Sequence, residues 1–182
     1  MKRWKECEDG FTMVEMIITI AISAILVGTV ITAFGYLNSG NAKRSAARFN
    51  SKLTTAQTET MMLKEPTYLY LYKVSDGSVK CILLKDNCQS RSDLNSKLTG
   101  LSPTDVGGSG VNVRAKIEGG GTYTLGQNNM IKVAFDKASG AYKTANYGVD
   151  TDNVFYNEIE FSGREKYKVT LVKMTGKHVM SQ

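Results

Sequence analysis

From Met16 to Leu37 the sequence MIITIAISAILVGTVITAFGYL holds no charged residue. As a helix rising about 1.5 Å per residue it spans roughly 33 Å, enough to cross the hydrocarbon core of a bilayer. Two plain readings compete for such a run. A secretory signal peptide needs a shorter apolar stretch, about 7–15 residues, and a small-x-small cleavage site beyond it. This run is too long, and Ile31-Thr32-Ala33 is a poor site. A signal-anchor that holds an outside domain fits the length.

Two residues do not fit a plain anchor. Gly10 closes the charged stretch MKRWKECEDG, and Glu15 lies at the start of the apolar run, where a carboxylate facing hydrocarbon costs on the order of 2–3 kcal/mol. Residues kept in that position are usually paired and functional. Gly10-Phe11-Thr12-Met13-Val14-Glu15, followed by an apolar helix, resembles the cleavage and methylation signature of type IV pilins and type II secretion pseudopilins.

The resemblance implies that a prepilin peptidase cuts between Gly10 and Phe11 and then methylates the new Phe11 amine. It implies that Glu15 meets the Phe11 amine of a neighbouring subunit, so that two charges expensive alone in an apolar bundle neutralise each other and set axial register. It also implies the partners: prepilin peptidase, other pilin or pseudopilin subunits, and an assembly platform in the cytoplasmic membrane. The chain would be a single-pass membrane protein before assembly, and then part of a cell-surface or periplasm-spanning filament. Loop charge does not orient the segment, because Lys2, Arg3 and Lys5 on one flank balance Lys43, Arg44 and Arg48 on the other. The leader-inside orientation rests on the resemblance.

Beyond Leu37 the pattern turns amphipathic. Ala42, Ala46, Phe49, Leu53, Ala56, Thr60 and Leu63 recur at helical spacing with basic residues between them. Asn38-Ser39-Gly40-Asn41 is a weak point, and Pro66 ends the helix by disfavouring a helical Glu65. Period-two alternation follows, predicting strands at Tyr68–Tyr72, Val79–Leu84, Val111–Ile117, Thr122–Leu125, Met130–Phe135, Val154–Phe161 and Tyr167–Met174. Loops are expected at the glycine tracts 107–110 and 119–121. Strands with one apolar face need a cover, and the helix stripe supplies it, so the fold class is α+β: a long N-terminal helix packed on an antiparallel sheet domain. The organisation is a leader (1–10), a membrane and filament-core helix (11–37), its amphipathic continuation (38–65) and a β-rich head (66–182). The end of the chain, Phe161-Ser162-Gly163-Arg164 with Thr175-Gly176-Lys177, is similar to that of H-type minor pseudopilins and related minor pilins.

The remaining chemistry is sparse. Cys7 lies in the leader, so cleavage would leave Cys81 and Cys88; a pair closing a short loop reads as a disulfide in an exported domain and as free thiols in a cytosolic one. The lone histidine, His178, reads as an exposed residue near a mobile end, and no nucleophile–base pair points to an enzyme. Asp150-Thr151-Asp152-Asn153 lacks the spacing of a calcium loop and reads as an Asx-rich turn; no metal, cofactor or small-molecule substrate is expected. The net charge is +6. Arg164, Lys166 and Lys168 lie in a basic stretch and, with Lys166 and Lys168 on one strand face, are candidates for the DNA contact seen in competence-type minor pilins, against the alternative of a solvated strand face.

Overall fold

In the computed structural model the described residues are 12–63, 65–143, 145–147 and 150–182, without the side chains of 30–40, 145–147 and 150–153. The chain forms two compact units that divide between Leu37 and Asn38. Helix α1 (Met13–Met62) contributes its first half to one unit and its second half to the other.

In the first unit Ile17, Ile18, Ile20, Ile25, Leu26 and Val27 are all more than half exposed, on every side of the helix. Among the described residues no helix is long and apolar enough to cross a membrane. Residues 16–29 alone rise about 21 Å, short of the roughly 30 Å of a hydrocarbon core. The rest of the uncharged run, 30–37, lies outside the described side chains, as does the expected weak point at 38–40.

The second unit is built on the back half of α1. Ala42, Ala46, Phe49, Leu53, Ala56 and Thr60 are wholly buried, while Leu63, past the end of α1, is 40% exposed. Strands β1 (Tyr68–Lys73), β2 (Val79–Leu84), β3 (Thr104–Gly107), β6 (Met130–Phe135) and β7 (Tyr142–Lys143) form one antiparallel sheet in the order β3-β2-β1-β6-β7. Strands β4 (Asn112–Ile117), β5 (Thr122–Thr124), β10 (Tyr156–Ser162), β11 (Lys166–Leu171) and β12 (His178–Ser181) form a second, ordered β12-β11-β10-β4-β5. Strands β8 (Ala145–Tyr147) and β9 (Asp150–Val154) make a separate hairpin. Helix stripe and both sheets share one core, in which Phe49 meets Phe161 at 5.5 Å between ring centres.

The first sheet is covered on its other face as well. Tyr70, Tyr72 and Met130 pack there with Cys88 and with Leu94 of the short helix α2 (Arg91–Lys97). Lys132, only 2% exposed, donates to Asn87 Oδ1 at 2.9 Å and to the Cys88 carbonyl at 3.3 Å, and burial pushes its ammonium pKa down. Tyr70 Oη donates to the Asp86 carbonyl at 2.8 Å and accepts from Cys88 N at 2.7 Å. These buried polar groups are satisfied by the backbone and the Asn87 side chain of the segment they hold down.

Several expectations need correction. Cys81 and Cys88 are free thiols rather than a disulfide. Cys81 points into the main core with Leu69 and Leu71, whereas Cys88 packs beside Tyr70 and Tyr72 on the opposite face, so the sheet itself separates them. His178 is half-buried in β12: its Nε2 lies 2.9 Å from Thr54 Oγ1 on α1, and its Nδ1 lies 3.1 Å from both Tyr142 Oη and the Gly176 carbonyl. The segment 150–153 belongs to β9, paired with β8, instead of a turn. Gly107 ends β3 rather than opening a loop, where a β-carbon would lie 2.5 Å from Ser45 Oγ of α1.

The turns 136–141 and 172–177 meet against α1. Gln57 Nε2 donates to the Gly140 carbonyl at 2.8 Å, and a β-carbon on Gly176, whose φ is +66°, would lie 1.8 Å from that same oxygen. Gly176→Ala must therefore separate the two turns as well as adopt a strained φ. We expect a loss of about 2–4 kcal/mol, read as a lower melting temperature.

Burial pushes the Cys81 thiol pKa up to about 11 from its ordinary 9.0. Its neutral form therefore stabilises the fold fully below about pH 9, and this contribution, on the order of 2–3 kcal/mol, is lost as the pH climbs through 11. Stability should fall less steeply between pH 9 and 11 in Cys81→Ala than in the wild-type chain, with buried Tyr70 and Tyr142, whose pKa values burial also raises, contributing equally to both.

Candidate functional site

The sequence-predicted cleavage residues Gly10 and Phe11 lie outside the described residues; the described site begins at Thr12. Thr12 precedes the first turn of α1 and Glu15 lies in it. The Thr12 backbone N–H and hydroxyl both donate to Glu15 Oε2 at 2.9 Å, and Thr12 Oγ1 accepts from Glu15 N at 3.3 Å. This is a reciprocal capping box, Thr-x-x-Glu, that satisfies backbone donors the helix start would otherwise leave open. The carboxylate also faces the positive end of the helix dipole.

Glu15 is thus held by its own helix in the isolated chain, fully exposed, with one of its two oxygens engaged. Sequence reasoning singled out Glu15 for the cost of its charge and missed Thr12, although the Thr-x-x-Glu spacing carries the signal. Around and beyond this cap, the apolar side chains of 13–29 are exposed and require a cover of lipid or protein.

The basic residues near the C-terminus are placed by the second sheet. Lys166 and Lys168 project from the outer face of β11, and Arg164 sits in the turn before it. Beside them on β10 stand Glu158 and Glu160, flanked in turn by Arg114 and Lys116 of β4. Glu158 draws Lys116 to 3.1 Å and Lys168 to 3.6 Å. The face is a lattice of alternating charge in which acids separate the bases, unlike the unbroken basic track that phosphate backbones favour. Among the described residues no group of three or more His, Cys, Asp or Glu is arranged to hold a metal ion.

A family model described as the prokaryotic N-terminal methylation motif matches residues 7–31. No curated protein and no solved structure matches the chain. The matched stretch encloses Thr12 and Glu15 and the first nineteen residues of α1, which places the capped, apolar helix start inside the motif. Residues 7–31 thus carry the N-terminal methylation signature found in type IV pilins and pseudopilins.

Proposed function

We propose that the chain is a prepilin: anchored through the uncharged run Met16–Leu37, cut by prepilin peptidase between Gly10 and Phe11, methylated on the Phe11 amine, and assembled with other subunits into a type IV pilus or type II secretion pseudopilus. The observation that carries this reading is the methylation motif at 7–31 coinciding with an apolar helix whose side chains are exposed all round. Such a helix is stable in lipid, and afterwards among copies of itself in a filament core. The function is structural, and the chain is the substrate of an enzyme rather than an enzyme.

The cap supports a specific role for Glu15. Cutting before Phe11 leaves the Thr12 amide intact, so the capping box survives processing. Glu15 Oε2 stays engaged by Thr12 while the other oxygen is available for the Phe11 amine of a neighbour, which neutralises that charge in an apolar bundle. The similarity of the chain's end to H-type minor subunits supports a minor position in the filament. A DNA-capturing role draws no support from the acid-interleaved face around Lys166 and Lys168.

The test is the mass and N-terminal sequence of the protein recovered from cells with and without active prepilin peptidase. We expect a chain that begins at Phe11 and carries one added methyl group when the peptidase is active, and one that begins at Met1 when it is not. An intact Met1 terminus in both strains would leave a signal-anchored surface domain as the better account.

A further inference from the structure

The second half of α1 opens with a run of uncompensated positive charge. Lys43, Arg44, Arg48 and Lys52 are the only charged residues between Asn38 and Thr58, and the first acid after them on the helix is Glu59. Helices commonly answer a base with an acid three or four residues away, and none does so here. Lys43 and Arg44 are exposed, and among the described residues neither takes part in an ion pair. Arg48, also exposed and one turn beyond Arg44, donates from Nη1 to the Asp105 carbonyl at 3.3 Å, while the Asp105 carboxylate is drawn to Lys80 at 3.4 Å. The strand beside the helix thus offers Arg48 a neutral acceptor and leaves the charges unmatched.

Position along the chain gives this charge a use. Lys43 follows Leu37, the last residue of the uncharged run, by six residues, about 9 Å of helix. Even a fully extended link of six residues reaches only about 20 Å, so Lys43 stays near the end of that run whatever the arrangement of the two units. Side chains on a helix lean toward its N-terminus, which here is the side of the uncharged run. In the leader-inside orientation these bases lie on the translocated flank, where the positive-inside preference works against them. Cations kept there have an anionic partner at hand in lipid headgroups, whose phosphates a guanidinium fork or an ammonium engages directly.

We propose that Lys43 and Arg44, flanked by Arg48, bind the headgroups of anionic phospholipids at the non-cytoplasmic face of the membrane and hold the subunit at a fixed depth until assembly withdraws it. The proposal rests on the anchoring of the run Met16–Leu37. Attraction to a charged surface fades within a Debye length of about 10 Å, so Lys43 and Arg44 carry it, and Lys52, about 22 Å along the helix from Leu37, does not.

The test reconstitutes the full chain in phosphatidylcholine vesicles and compares spin-labelled phosphatidylglycerol with spin-labelled phosphatidylcholine at the protein surface. We expect the anionic lipid to be preferred about fivefold, the gain that one base near a charged surface supports, and the preference to shrink in molar salt, where the Debye length is about 3 Å. Lys43→Gln with Arg44→Gln, both at exposed positions, should cut the preference by about half or more with unchanged circular dichroism. Lys43→Arg should keep it, and a chain with Lys2, Arg3 and Lys5 all changed to Gln should still show it. Overturning results are a full preference retained in the double variant, none left once the leader bases are removed, or one that appears only in vesicles crowded with protein, which would set the bases against a second copy. A chain that does not float with the vesicles would contradict the anchor as well, whereas a floating chain that treats the two lipids alike contradicts this inference alone.

Discussion

The fold depends on one packing event, the burial of the stripe Ala42, Ala46, Phe49, Leu53 and Ala56 between two antiparallel sheets. The stripe is small at both ends and large in the middle. Its alanines let the strands approach closely enough that Gly107 touches Ser45, and Phe49 and Leu53 fill the space this leaves. Burying such side chains contributes roughly 1.5–3 kcal/mol for each large one. The same helix face fixes the turns: Gln57 holds Gly140, Gly140 leaves no room for a side chain at Gly176, and His178 reaches back to Thr54. The C-terminal strand is tied to the helix in this way rather than left as a tail.

Much of this architecture was legible because the chain obeys simple periodicities. The stripe of α1 followed the spacing read from the sequence, and strands β2 and β6 have the bounds that their alternation set. Other features escaped for physical reasons. Helix α2 has only about two turns and one buried residue, Leu94, and its signal was the cap Ser90-x-x-Asp93, the same kind of pattern as Thr12-x-x-Glu15. Both boxes are local and readable, but neither stands out without a long apolar period behind it.

The cysteines and the histidine show a different limit. Sequence separation placed Cys81 and Cys88 near each other, yet strand alternation followed by a loop over the sheet edge sends them to opposite faces. His178 lies far from Thr54 and Tyr142 in sequence and meets them only through tertiary packing. Basic residues counted along the C-terminal stretch suggested a track for nucleic acid. The neighbouring strand β10 inserts Glu158 and Glu160 among them, which one strand's sequence cannot reveal.

The account holds that a capped, exposed, apolar helix start carries the assembly function while the same helix's second half holds the head together. Glu15 is where these separate, since it is exposed in the unit that ends at Leu37, whereas the buried stripe belongs to the unit that begins at Asn38. The most direct measurement compares the wild-type chain and Glu15→Ala in sheared surface filaments from cells with active peptidase. The account predicts that both are cut and methylated at Phe11 and that only the wild-type chain is recovered in filaments. Equal recovery of Glu15→Ala in filaments would contradict it.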